Sequence, residues 1–295
     1  MAKNNNLHTA KKAKNDEFYT QFHDIENELK YYRPHFVGKV VYCNCDDARE
    51  SNFFKFFSMN FEFLGLKKLI ATGYKENGKG VKLVYMGDKN GNKMPDFDEI
   101  EVIELNGDGD FRSPECVELL KESDIVVTNP PFSLFREYVA QLVEYRKQFL
   151  IIGNKNAITY KEIFPLIKDN KLWLGISSPN EYKLPNGEIT KQVNGLCKWF
   201  TNMGHDRRNQ PFDLYMKYSN DYFPKYDNYD AIEVSKTCDI PMDYDGIMGV
   251  PITFLDKYCP EQFEIVKFRK GNDDKDLSVN GKCPYFRILI RHKRQ

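Results

Sequence analysis

The chain has 295 residues, balanced between 43 Lys plus Arg and 43 Asp plus Glu, with 41% hydrophobic and 29% charged residues. That apolar share excludes a disordered chain, the length suggests about two domains, and the longest apolar runs fall far below the roughly 18 residues of a membrane span. A net charge of zero shows no global basic excess, so charge alone argues against a nucleic-acid partner.

The first fifteen residues carry Lys3, Lys11, Lys12 and Lys14 with no acid and no apolar stretch behind them, which reads as a solvated basic arm, with a weak phosphate-contacting tail as the alternative, and without a secretory signal. Asp16–Tyr32 places Phe22, Ile25 and Leu29 at helical spacing, with Pro34 closing the helix. Val37–Cys43 reads as a strand, Ser51–Leu64 as an aromatic-rich helix and Leu66–Thr72 as a strand. Gly78–Met86 and Phe97–Leu105 are strands around the turn-rich Gly87–Pro95, followed by a helix over Ser113–Lys121. Asp124–Thr128 and Gln148–Gly153 are strands of the buried type, separated by a helix over Leu134–Arg146. Short apolar strands alternating with helices predict a doubly wound α/β sheet that binds ligands at the carboxyl ends of its strands. From His205 onward Pro, Tyr, Asp and Gly are frequent and helical periodicity fades, so a smaller mixed or β-rich domain is expected over 205–295. Of the seven cysteines only Cys43 and Cys45 lie close together, as C-x-C. That spacing suits neither a zinc knuckle nor a redox pair, so no metal site is expected and the thiols read as reduced cytoplasmic residues, mostly core.

The segment with the most chemistry is Asp124-Ile-Val-Val-Thr-Asn129-Pro130-Pro131-Phe132. An apolar strand runs into a polar residue and two prolines, so pairing stops and the chain turns rigidly where an open sheet offers its crevice. Asn129 presents an amide carbonyl, Pro130 a backbone carbonyl and Phe132 a flat apolar face, a set suited to gripping a planar group that bears an NH2. The plain alternative is a turn stiffened by Pro-Pro, with Phe132 in the core.

This Asn-Pro-Pro-Phe tetrad resembles the catalytic motif of amino-methyltransferases that use S-adenosylmethionine (SAM), in the form typical of N6-adenine enzymes. Further segments agree in order. Asp16-Glu-Phe18-Tyr19-Thr20 resembles the motif that holds the methionine end of SAM. Asn44, Asp46 and Asp47, followed by Ser51, Asn52 and Phe53, sit where the first strand and its SAM-binding turn belong. Gly109-Asp110-Phe111 resembles the element whose acid accepts from the SAM adenine. With Leu196–Asn202, His205, Arg207, Arg208 and Ile247–Leu255, the chain resembles the EcoRI-type adenine-specific DNA methyltransferases.

The resemblance implies a Rossmann-like SAM-dependent catalytic domain over 16–204, after the arm at 1–15, and a DNA target-recognition domain over 205–295. It implies a monomer in the cytoplasm of a bacterial or phage-infected cell, acting on double-stranded DNA, with no membrane partner and with a restriction endonuclease of the same specificity as a possible counterpart. Asn129 and Pro130 would take the two N6 hydrogens of a flipped-out adenine while Phe132 stacks on its ring. Trp199 and Phe200 stand either as the opposite wall or as core aromatics. Phosphate contacts are expected from Arg207 and Arg208, from Lys267, Arg269 and Lys270, and from Arg287, Arg291, Lys293 and Arg294, with Asp273, Asp274 and Asp276 off that face.

The chain departs from the pattern in two places. The first-strand turn lacks the usual glycines, leaving Asp46 and Asp47 as ligand contacts or as a helix N-cap pair. No acid ends the second strand, where Thr72 and Tyr74 are the candidates for the ribose. Competing readings are an RNA adenine or protein glutamine N-methyltransferase, the latter disfavoured by Phe132 in place of Tyr, and a non-catalytic SAM- or DNA-binding relative.

Overall fold

The computed structural model describes residues 19–45, 47–183, 189–190 and 195–293. Its contacts divide the chain into two units. The first takes the described residues up to Ile163 together with Leu174–Met203, and the second takes Phe164–Trp173 with the described residues from Gly204 onward. The segment Phe164–Trp173 lies within the first domain as read from sequence. In the structure it joins the second unit, where the Phe164 and Phe268 rings meet with centroids 4.9 Å apart.

The chain up to Met203 supplies β1 (Tyr19–Thr20), β2 (Val40–Cys43), β3 (Lys68–Gly73), β4 (Val81–Tyr85), β5 (Ile100–Glu104), β6 (Ile125–Thr128), β7 (Gln148–Asn154), β8 (Trp173–Leu174), β9 (Tyr182–Lys183), β10 (Ile189–Thr190) and β11 (Cys197–Thr201), all in the first unit except Trp173. Eight of these form one mixed sheet in the order β5-β4-β3-β2-β6-β7-β11-β8. Its centre, β3-β2-β6-β7, is parallel, whereas β4, β5 and β11 run antiparallel to their neighbours. Every residue of β2 and β6 is buried, as continuous apolar runs covered on both faces require. From β2 the chain steps outward to β3 and later returns to β6 on the other side. The sheet therefore reverses between β2 and β6, and the crevice lies outside their carboxyl ends.

The helices differ from expectation in detail. The first spans only Phe22–Leu29, preceded by β1. Pro34 does not close it but sits in the first turn of a short helix, Arg33–Phe36, where a missing N–H costs nothing. The Ser51–Leu64 run breaks at Asn60 into Asn52–Met59 and Phe61–Leu64, with the Asn60 amide donating to the Phe56 carbonyl at 2.8 Å. Phe53, Phe54, Phe56 and Phe57 from this run are buried with Trp199 in one core cluster.

The second unit centres on β12 (Ala231–Glu233), β13 (Ile247–Pro251), β14 (Phe263–Phe268) and β15 (Arg287–His292), in the order β12-β13-β15-β14. β12 and β13 are parallel, and the other pairs are antiparallel. Among the described residues no helix is long and apolar enough to cross a membrane.

Candidate active site

Strand β6 delivers the tetrad to the crevice. Thr128 closes the strand and donates its hydroxyl to the Asn44 carbonyl, so Asn129 begins directly beside the turn that comes after β2. Pro130 is buried, while Asn129, Pro131 and Phe132 are partly exposed. The Pro131 carbonyl accepts from the Leu134 amide at 3.0 Å, which curls the chain into a tight turn over Phe132–Leu134. Phe132 is partly exposed and packs against the core cluster, so it is not a fully enclosed core residue.

The β2 turn uses no glycine, yet Cys45 takes φ +69°, the left-handed conformation that glycine usually fills. Asn44, 2% exposed, is fixed at both ends, because the Tyr138 hydroxyl donates to its Oδ1 while Thr128 holds its carbonyl. Tyr138 is fully buried, and its ring meets Phe111 edge-on with centroids 5.0 Å apart. Burial, followed by the neighbouring Cys45, pushes the Tyr138 phenol well above its usual range. It stays protonated and can donate. Asp47 is neither half of an N-cap pair: its Oδ1 accepts from the Arg49 amide at 2.9 Å, and the cap is Ser51, whose hydroxyl accepts from the Phe53 amide at 3.2 Å. Asn52 reaches back to the Thr20 carbonyl at 2.7 Å, tying the Tyr19–Thr20 motif to the helix after β2. Phe53, expected at the cofactor, is instead fully buried and meets the Trp199 ring edge-on at 6.1 Å.

Asp110 is gripped by Arg112, with Nε 2.8 Å from Oδ1 and Nη2 2.6 Å from Oδ2. Those hydrogen bonds hold its carboxyl below the usual carboxylate range. It remains a charged acceptor with lone pairs to spare. Gly109 takes φ +85°, and a Cβ there would overlap the Gly73 carbonyl, so only glycine lets this loop close against the end of β3. Thr72 is excluded as a ribose contact, since it is fully buried and its Oγ1 pairs with the Tyr42 hydroxyl at 2.8 Å. Tyr74 is exposed. Phe18, Asp46 and residues 1–15 lie outside the described residues.

Trp199 and Phe200 are both fully buried. Phe200 packs on Phe135 at 5.0 Å and Trp199 on Phe53, so they are core aromatics and not a wall facing a base.

Within the second unit, Arg207 is exposed, but Arg208 is only 7% exposed, with its guanidinium 4.4 Å from the Trp173 ring centroid and 5.3 Å from that of Tyr258. Burial lowers the Arg208 pKa to about 10, and the side chain is a packed brace, not a phosphate contact. Asp276, expected away from the basic cluster, sits inside it. Its Oδ1 lies 2.9 Å from Arg269 Nε and 3.0 Å from Lys270 Nζ, because the backbones of Lys270 and Asp276 pair across a β-bridge. Lys267 lies 5.1 Å over the Tyr229 ring. Arg287 forms a 2.6 Å ion pair with the buried Glu233, and Arg291 pairs with Glu264 at 2.7 Å. Arg294 is outside the described residues.

Tyr138, Gln141 and Arg112 carry much of this geometry and belong to no motif recognised in the sequence. Tyr138 and Gln141 share the helix Phe135–Glu144 that comes after the tetrad, and Gln141 donates to the Phe111 carbonyl at 3.2 Å. Their one sequence signal is the spacing i, i+3, which puts both on one helix face.

A mixed sheet with a parallel centre, a sharp turn after its first core strand and an Asn-Pro-Pro-Phe turn beside it defines a Rossmann-like methyltransferase. The profile of the family described as "Adenine-specific methyltransferase EcoRI" matches residues 6–293. The chain is 57% identical to the Type II methyltransferase M.EcoRI of Escherichia coli, over 99% of this chain and 98% of that protein. It is 40% identical to the Type II methyltransferase M.MgeORF184P of Mycoplasma genitalium, over 97% and 98%, and 38% identical to M.MpnI of Mycoplasma pneumoniae, over 97% of each. No solved structure matches it. The chain belongs to the EcoRI family of adenine-specific methyltransferases.

Proposed function

We propose that this enzyme transfers a methyl group from SAM to N6 of an adenine flipped out of double-stranded DNA. The observation that carries this reading is the tetrad's place at the carboxyl end of β6, beside the Asn44–Cys45 turn, in a chain of the adenine-specific family. The residues fit a SAM molecule. Thr20 Oγ1 and Gln141 Oε1 are buried polar atoms without a protein partner among the described residues. Leaving such atoms unmatched costs about 1–3 kcal/mol each, and a ligand rich in amino and carboxylate groups would satisfy them.

When bound, SAM supplies a sulfonium methyl that is already activated, so the protein needs positioning more than acid–base chemistry. Phe18–Thr20 and Asn52 would hold the methionine end, the Asn44–Asp47 turn the middle, and Asp110 and Phe111 the adenine end. Asn129 and the Pro130 carbonyl accept the two N6 hydrogens of the target base. That turns the amino lone pair towards the methyl and accommodates the positive charge that develops on nitrogen. Phe132 stacks on the extruded ring and offsets part of the few kcal/mol lost on flipping. Arg207 and Lys267 supply phosphate contacts, with Arg269 and Lys270 contributing net charge shared with Asp276. We read the enzyme as acting as a monomer and, from the Type II names of its relatives, as the counterpart of an endonuclease of the same specificity.

The test is incubation with labelled SAM and, in parallel, duplex DNA, RNA and protein, with nucleoside analysis of the products. N6-methyldeoxyadenosine is expected from the DNA arm; label confined to RNA or to a protein glutamine would overturn the reading.

A further inference from the structure

Two buried carboxylates in the first unit lie outside every motif recognised in the sequence. Glu28 is fully buried and Asp24 is 3% exposed, one turn apart on the helix Phe22–Leu29. The Glu28 carboxylate accepts four hydrogen bonds: from the Ile176 amide at 2.8 Å, the Ser177 amide at 2.6 Å, the Ser177 hydroxyl at 2.7 Å and the Tyr32 hydroxyl at 2.9 Å. Asp24 Oδ2 accepts from the amides of Asn180 and Glu181 at 3.0 and 3.1 Å, and His23 Nε2 lies 3.4 Å from its Oδ1. Gly175 leaves room for this grip, since a Cβ there would overlap Glu28 Oε1 and come within 2.7 Å of the Trp199 Cβ.

Burying carboxylates is costly unless they are fully hydrogen-bonded. Here the compensation comes from four backbone amides of one short segment, so the two side chains fix where that segment lies. The segment leads directly into β9, whose Tyr182 and Lys183 pair antiparallel with Thr20 and Tyr19. Two-residue strands do not hold together unaided. This pairing is anchored on both sides: Asp24 sits four residues after Thr20 and grips Glu181, the residue before Tyr182. Thr20 is tied from a third direction by Asn52, and its buried hydroxyl has no partner among the described residues.

We propose that Asp24 and Glu28 are positioning residues of the methyl-donor site, and that the 176–183 segment they fasten forms a wall of that site at the methionine end. The proposal rests on the reading of Phe18–Thr20 as the contact for that end of the donor. It adds a stretch of chain more than 150 residues away in sequence, with the two carboxylates that hold it.

Hydrogen exchange of the intact wild-type enzyme, free, with saturating S-adenosylhomocysteine and with saturating adenosine, tests the location. Amides of 176–183 should slow about tenfold with S-adenosylhomocysteine and stay unchanged with adenosine, which lacks the amino-acid end. Asp24→Asn and Glu28→Gln should each weaken S-adenosylhomocysteine binding about tenfold, as loss of a charge-assisted bond implies. A purely structural role would move melting temperature alone. These variants should instead raise KM for SAM while kcat at saturation stays within about twofold. Normal affinity in a folded Asp24→Asn, or equal slowing by adenosine, overturns the proposal. If Glu28→Gln does not fold, Asp24→Asn and the wild-type exchange data decide. Thr20→Ala separates two kinds of failure. Normal affinity in Thr20→Ala overturns the reading of Thr20 and the proposal with it, whereas weak affinity there beside normal affinity in both clamp variants overturns the proposal alone.

Discussion

Replacing Tyr138 by Phe removes a single oxygen from the middle of the site. The ring is fully buried and edge-on to Phe111, and Phe keeps both contacts, so no cavity larger than the hydroxyl is created. What changes is Asn44, whose buried Oδ1 loses the hydroxyl that donates to it. An unmatched buried acceptor costs about 1–3 kcal/mol. For a unit of about 150–250 residues each kcal/mol lowers the melting temperature by roughly 2–4 °C, so the expected loss is about 6 °C. The same change loosens the Asn44–Cys45 turn, so SAM should bind more weakly while Thr128 still holds the Asn44 carbonyl and prevents complete loss. Differential scanning calorimetry on the free and SAM-saturated protein measures both effects. A melting temperature within about 1 °C of wild type, with unchanged SAM affinity, would refute the claim that this hydroxyl holds the turn.

Gly109→Ala should destabilise the protein by about 2 kcal/mol or more and weaken SAM binding, because alanine resists φ +85° and its Cβ would overlap the Gly73 carbonyl; urea unfolding measures it. In Arg112→Ala the Asp110 carboxyl should titrate closer to its ordinary value, because the guanidinium bonds are lost and only the backbone amide of residue 112, 2.8 Å from Oδ1, still donates to it. In the wild type its depressed pKa contributes stability that is present above the unfolded value of about 3.9 and lost as pH falls through the folded one, so the variant should show a smaller acid-side loss in NMR-monitored titration and melting. Asp276→Asn releases Arg269 and Lys270 from their shared carboxylate. DNA binding should tighten, and the slope of log K against log salt should steepen by up to about 1 per freed cation; an unchanged slope would remove both from the DNA face.

Much of the sheet is legible in the sequence because β2, β6 and β7 are apolar runs with no polar face to disguise them, and the tetrad marks the end of β6. The zero net charge looks different beside the ion pairs. Arg269, Lys270, Arg287 and Arg291 face acids, so fewer cations remain for phosphate than the number of basic residues suggests. The illegible parts have physical reasons too. Asp24 and Glu28 lie four apart on an amphipathic helix and carry no mark of burial in the sequence, because their partners are backbone amides about 150 residues away. Two-residue strands such as β1 and β9 have no periodicity to detect. Trp199 sits on a strand where either side chain direction satisfies the pattern, and only packing against Phe53 shows that it points into the core. Cys45 occupies a left-handed position with a residue that carries no sign of it, so the turn could not be seen as the counterpart of a glycine-rich loop.

The central claim is that Asn129 takes an amino hydrogen of the target base and does not hold SAM. Single-turnover methyl transfer by Asn129→Ala on duplex DNA, with SAM affinity measured on the same preparation, tests it most directly. Transfer should be abolished while SAM affinity stays within a few-fold of wild type; near-normal transfer, or loss of SAM binding as the sole defect, would contradict the claim.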